Sequence, residues 1–405
     1  MDKKSEKTYR FPKGFLWGSA TSAHQVEGNN IHSDWWHEEN YKKKSQEYPF
    51  EPSSIACDSY NRYEEDFDLA KKMNNNSIRI SIEWARIEPK ENHFDQNEID
   101  HYKKVIKAAK KRGFKVMVTL HHFTNPLWFY QKGAFLNIKA PYYFSRYAKR
   151  CAKEFGSSID YYVTINEPQV YAMQSYLKGF WPPFNINPIY FFLAQIGLII
   201  SHIKAYRAIK CVDRNLSVGI VKNIVHYETD SHLLDRLAAK VLYFLGCNAF
   251  LKPLYFASTL DFIGMNYYFT GIIKQFKQKN PNDVVSDLGW WINPPGLEKA
   301  LMHLKHHYKG MPNYVTENGL ADSKDEKRIH FINTMLVHTA KALENGANVK
   351  GYFHWSLIDN FEWHHGFWPR FGLIEIDRED NLKRIPRKSY KYYSQICKSN
   401  GVVPL

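Results

Sequence analysis

Residues 77–122 read SIRISIEWARIEPKENHFDQNEIDHYKKVIKAAKKRGFKVMVTLHH, and this stretch decides the fold. Ser77–Glu83 and Lys115–His121 are short runs rich in β-branched and apolar residues. Between them Ile99, Tyr102, Ile106 and Ala109 recur at helical spacing, so one face of the intervening segment is apolar. Asp95 and Glu98 resemble a capping box at its start, and Gly113 can stop it. A strand, an amphipathic helix and a second strand in succession make a βαβ unit, whose strands pair in parallel.

The same alternation runs along the chain. β-rich runs at Phe15–Ser22, Asp160–Asn166, Ser217–Asn223, Asp261–Tyr267, Asn313–Glu317 and Gly351–Leu357 join the two above to make eight candidate strands, with helix-like segments between them. Eight such alternations predict an α/β fold of the (β/α)₈ TIM-barrel type. No Pro/Gly/Ser linker, low-complexity tract or short-period repeat divides the 405 residues, so one domain over residues 1–405 is expected.

In such a barrel chemistry collects at the carboxyl ends of the strands. The polar residues closing the runs are therefore the candidates: Gln25, Arg79 with Glu83, His121 with His122, Asn166 with Glu167, Asn266 with Tyr268, and Glu317 with Asn318. Trp355, followed by Glu362 and Trp363, completes them.

Composition narrows the class. A hydrophobic fraction of 44% with 24% charged residues suits a soluble globular chain with a large core. Aromatic residues reach 16%, which suits either core packing or a cleft in which ring faces stack on the C–H faces of sugars. The five cysteines are scattered and form no disulfide or zinc pattern. Residues 1–15 carry charges and lack an apolar signal segment, so a cytoplasmic protein is expected. The most apolar stretch, Pro188 to Ile200, is too short to span a bilayer and reads as a buried helix. The formal charge of +14 is spread in short lysine runs without interleaved aromatic residues, so neither a nucleic-acid nor a membrane partner is expected. Salt-dependent binding to DNA or anionic vesicles would reverse that reading.

Two segments carry chemistry. Thr164-Ile165-Asn166-Glu167-Pro168 follows the fourth run and Thr316-Glu317-Asn318-Gly319 the seventh. Glycoside hydrolysis needs two carboxyl groups flanking the scissile bond, and strands four and seven lie on opposite sides of an eight-stranded barrel. Either segment alone reads as a turn. Together they resemble the family 1 glycoside hydrolases, the β-glucosidases and β-galactosidases with catalytic glutamates after strands four and seven. Further segments extend the resemblance over nearly the whole chain: residues 15–28 (FLWGSATSAHQVEG), 79–87 (RISIEWARI), 119–123 (TLHHF), 261–268 (DFIGMNYY), 351–363 (GYFHWSLIDNFEW) and 370–373 (RFGL).

The resemblance implies a retaining β-glycosidase acting on a small-molecule β-glycoside or oligosaccharide, without cofactor or metal. It makes Glu317 the nucleophile, supported by Arg79 and Tyr268, and Glu167 the acid/base, whose proton the nearby charge of Glu317 and partial burial would hold at neutral pH. Asn166 would bond the sugar 2-hydroxyl, with Asn266 supporting the glutamates. Gln25, His122 and Glu362 match hydroxyl-binding positions, and Trp355 and Trp363 the aromatic floor and wall. Glu83, His121, Tyr176 and Trp290 are structural or on the aglycone side.

Phe123 and Tyr162 stand where the family usually has Trp, and the shortened connections after Pro183, around His226–Asp235 and around Lys274–Leu288 bear on the aglycone cleft. Competing readings are a 6-phospho-β-glycosidase of the same family and a non-catalytic carbohydrate-binding protein. The first would want Ser and Lys about where Glu362 and Trp363 stand, and a carboxylate there repels phosphate. The second typically loses one glutamate, and this chain keeps both.

Overall fold

Eight parallel strands close into a barrel in chain order: β1 (Leu16–Ala20), β2 (Ser77–Ser81), β3 (Lys115–His121), β4 (Tyr161–Asn166), β5 (Ser217–Asn223), β6 (Phe262–Asn266), β7 (Asn313–Asn318) and β8 (Val349–Trp355), which returns to β1. The computed structural model describes residues 7–42, 50–229, 232–274, 277–279 and 284–405. All eight strands fall on the runs expected from sequence, two of them, β3 and β5, with the same ends. Buried on both faces, they do not alternate between buried and exposed residues. One apolar cluster, including Leu16, Met117, Val163, Val221, Phe262, Tyr314 and Phe353, forms a layer separate from the larger core shared by strands and helices.

The longer helices are α1 (Ser59–Lys72), α2 (Gln96–Lys111), α3 (Ala140–Phe155), α4 (Pro168–Tyr176), α5 (Pro188–Val212), α6 (Leu233–Tyr243), α7 (Ala249–Phe256), α8 (Pro294–His307), α9 (Arg328–Glu344) and α10 (Lys388–Ser399). Helix α2 buries Ile99, Tyr102, Ile106 and Ala109 and turns out through Gly113, whose φ of +79° favours a residue without Cβ. Its cap is one-sided. The Asp95 carboxylate accepts from the amides of Asn97 and Glu98 at 2.8 and 3.3 Å. The Glu98 side chain, though, accepts from the Tyr60 hydroxyl at 3.1 Å, while the Asp95 amide is taken by the Ile87 carbonyl.

Helix α5 corrects a second expectation. It is 25 residues long, and only 28% of its most apolar window is buried. Ala194, Leu198, Ser201, His202, Ala205 and Ile209 make the seated face, while Ile189, Phe192, Leu193, Ile196 and Ile200 are exposed. Gly197 lets the helix lie against the backbone of the segment before α3: a Cβ there would stand 2.1 Å from the Phe135 carbonyl oxygen.

Of the three shortened connections, residues 230–231, 275–276 and 280–283 lie outside the described residues.

Candidate active site

The register of the strand ends stacks the site's polar groups at one level. Asn223 of β5 pairs with Asn266 of β6, and Asn266 pairs in turn with Glu317 of β7. Both acidic strands break register just before the glutamate: β7 shifts against β6 between Val315 and Glu317, and β4 shifts against β5 between Val163 and Asn166. Such irregularities re-aim side chains at a barrel rim. Glu167 then takes a left-handed conformation, φ 42° and ψ 55°, and Pro168 opens α4 behind it. Gly319 allows the β7 exit to pass β8, since a Cβ there would meet the Trp355 carbonyl oxygen.

Glu317 is buried and accepts at both oxygens. The Arg79 guanidinium donates to Oε1, and the Tyr268 hydroxyl donates to Oε2 at 2.5 Å. Burial first, and then the charge of Glu317, push the Tyr268 phenol well above its ordinary range, so it keeps the proton that it donates. The second arm of Arg79 donates to Asn166 Oδ1 at 2.7 Å. This guanidinium therefore links the end of β4 to the end of β7.

Glu167 is held differently. Its Oε1 accepts from Asn266 Nδ2 at 2.8 Å and from Asn223 Nδ2 at 3.1 Å, and among the described residues no cation bonds it. Burial, followed by the charge of Glu317, pushes its carboxyl up to about 7, against the smaller opposing pull of the two amides and of Lys222. Two glutamates in one pocket thus have different surroundings, a cation and a phenol on Glu317 and two amides on Glu167.

The sugar-binding candidates gather on the β1 and β8 side. Gln25 is fully oriented: Ser22 Oγ donates to its Oε1 at 2.6 Å, while its Nε2 donates to Asn360 Oδ1, the Phe361 carbonyl and Glu362 Oε2 at 3.1, 2.8 and 3.3 Å. Burial and the charges of Glu317 and Glu167 push Glu362 up to about 8. His122 lies near-parallel to Trp355 and Trp363, at 6.0 and 6.1 Å between ring centroids. Asn166 Nδ2 donates to its Nε2 at 3.3 Å, which leaves the proton on Nδ1, an atom with no partner among the described residues. Burial and Arg79 hold this imidazole well below its ordinary range, so it is neutral.

Trp290 stacks edge-on to Tyr268 at 5.6 Å and so flanks the same pocket. Glu83 and His121 serve structure: Glu83 caps the short helix Trp84–Ile87 and accepts from Thr124 Oγ1 at 2.8 Å, and His121 Nε2 lies 3.1 Å from Asn125 Oδ1. Tyr176 is buried at the end of α4, edge-on to Tyr171. Phe123 fills its place against Trp181 and Trp363, at 4.7 and 5.1 Å.

Sequence reasoning passed over Lys222 and Asn223, although they close the fifth run as the other candidates close theirs. Lys222 is buried, donates to Gln169 Oε1 at 2.5 Å, and is pushed down to about 8 by burial. Among the described residues no three His, Cys, Asp or Glu side chains are grouped so as to hold a metal ion.

Comparison with known proteins agrees over the whole chain. The model of glycosyl hydrolase family 1 matches residues 7–258 and 251–402. The chain is 30% identical to a β-galactosidase of Pyrococcus woesei, covering 97% of this chain and 98% of that one. It is also 30% identical to β-glucosidase A of Thermotoga maritima, covering 97% and 99%. A solved structure of a Thermotoga maritima β-glucosidase in complex with glucoimidazole superimposes with a TM-score of 0.93 at 29% identity, covering 97% of this chain and all of that one.

Proposed function

The chain belongs to glycosyl hydrolase family 1 and is a β-glycosidase, an O-glycoside hydrolase; from this premise we propose that it releases terminal non-reducing β-D-glucosyl residues, and β-galactosyl or β-fucosyl residues also, by double displacement with Glu317 as nucleophile and Glu167 as acid/base. The observation that carries the reading is the contrast between the carboxyls. Arg79 and Tyr268 both donate to Glu317, whereas Glu167 is pushed up to about 7.

In the first step Glu317 attacks the anomeric carbon, the bond from that carbon to the leaving oxygen breaks, and Glu167 gives that oxygen its proton. The glycosyl ester removes the charge on Glu317, the second of the two forces that raised Glu167. The amides of Asn266 and Asn223 and the Lys222 cation, which favour the carboxylate, remain. Glu167 can then take a proton from water as the water attacks the same carbon and Glu317 departs. Two inversions leave the configuration retained. Asn166, held by Arg79 and facing His122, is suited to the sugar 2-hydroxyl, while Gln25, His122 and Glu362 offer donors and acceptors to the others. Trp355 and Trp363 supply apolar faces.

Glu362 and Trp363 disfavour a 6-phosphorylated sugar. Even protonated, as Glu362 is for the most part at neutral pH, it brings no positive charge to a phosphate. Initial rates on p-nitrophenyl β-glycosides, one of them 6-phosphorylated, test the substrate class, and proton NMR of the first-formed sugar tests the stereochemistry. The β-anomer should form first, from unphosphorylated substrates. An α-anomer, or a higher kcat/KM on the phosphorylated sugar, would contradict the proposal.

A further inference from the structure

Helices α5 and α6 present an apolar surface that nothing covers among the described residues. On α5, Ile189, Phe192 and Ile196 are 68%, 57% and 53% exposed, with Leu193 and Ile200 beside them. On α6, Leu233, Leu234, Leu237, Val241 and Leu242 are exposed, and Phe244 and Leu245 continue the face beyond its end. The two helices belong to one region of the outer ring: α7 packs on α5, and Gln169 of α4, itself packed on α5, donates to the Leu245 carbonyl at 2.9 Å. Gln169 also holds Lys222, so the region adjoins the barrel mouth.

Each helix is also seated on the barrel by its other side, α5 through Ala194, Leu198, Ser201, His202, Ala205 and Ile209 and α6 through Asp235 and Ala239. A row of bulky apolar residues on an outer helix face is far more than the isolated exposed leucine of an ordinary surface.

The charges around this face identify what covers it. Between Glu167 and Asp213 the chain has no acidic residue, and between Asp235 and Asp261 it again has none. The charged side chains of these two stretches are all cations, and Lys178, Lys204, Arg207, Arg236 and Lys240 are exposed. An apolar face whose two helices expose cations and no carboxylate of their own complements an anionic lipid surface. We propose that this face seats the enzyme on anionic membranes, with the side chains of α5 and α6 entering the interfacial layer and the cations meeting lipid phosphates.

The test is flotation of the full chain with vesicles of phosphatidylcholine alone, or with about a quarter phosphatidylglycerol, at about 0.05 M and about 0.5 M salt. Partition onto the anionic vesicles should exceed that onto neutral ones by about tenfold or more and fall at high salt. Phe192→Glu combined with Ile196→Glu, and separately Leu237→Glu combined with Val241→Glu, should each cut partition about tenfold, with kcat/KM on a soluble p-nitrophenyl glycoside unchanged. The proposal is overturned if the chain floats with neither vesicle, floats equally with both, or floats undiminished in both variants. A dimer in vesicle-free buffer that the same substitutions dissociate would assign the face to a second copy and overturn it too.

Discussion

Glu167 keeps at about 7 a proton that an unfolded chain would release near 4.5, and this has a cost in stability. Because the folded state binds more protons across that window, stability falls as pH rises from about 4.5 to about 7. Glu167→Gln has no such proton to lose and can still accept from Asn266 and Asn223. It should abolish most activity yet raise thermal stability at about pH 8, by up to roughly 3 kcal/mol, with little gain near pH 4.5. Thermal melts of both proteins at the two pH values check this, and a gain independent of pH would show that the buried proton is not its cause. Lys222 acts in the opposite sense, since its charge pulls Glu167 down. Lys222→Met should therefore move the basic limb of the kcat/KM profile to higher pH, although the limb belongs to the coupled carboxyls together. An unmoved limb would leave Lys222 as a packing residue only. Lys222 and Asn223 were legible as the end of the fifth run, but nothing in the pattern of residues says that Asn223 reaches across to β4.

At the scale of elements, the eight strands and helix α2 were legible because continuous apolar runs and a period of 3.6 are direct imprints of burial. The register breaks before Glu167 and Glu317 were not, because a bulge depends on which residues oppose each other across two strands, and that pairing is long-range. Helix α5 departs from its sequence pattern for a related reason. Pro188–Ile200 is apolar on every side, a pattern that sequence ascribes to a buried helix. Its seat is instead one-sided and depends on Gly197 over the Phe135 carbonyl. Gly197→Val should lift the helix from α3 and the segment before it and destabilise the fold by about 3 kcal/mol, read from urea unfolding. An unchanged midpoint would show that the contact is not what seats α5. Asp95→Ala, by contrast, removes a half-buried cap and should cost only about 1 kcal/mol in the same measurement.

Across the whole molecule the barrel brings together residues far apart in the chain: Gln25 near the start, Glu167, Glu317, and Glu362 towards the end all reach one pocket. The family resemblance makes their meeting legible in the sequence, while the network that differentiates the two glutamates depends on the fold. Carboxylates alone can perform the proposed chemistry, so EDTA should leave kcat/KM unchanged, and loss on chelation with recovery on adding a divalent ion would contradict that. The central claim is the division of labour between Glu167 and Glu317, and the anomeric configuration of azide adducts tests it most directly. In Glu167→Ala an activated substrate such as a 2,4-dinitrophenyl glycoside still glycosylates Glu317, and azide, needing no base, then gives the β-glycosyl azide through two inversions. In Glu317→Gly azide enters the vacated space and attacks directly, giving the α-azide through one. The anomeric proton coupling of each product decides: β from the first variant and α from the second is the expected result, whereas the reverse pattern, or full activity in either variant, would contradict Glu317 as nucleophile and Glu167 as acid/base.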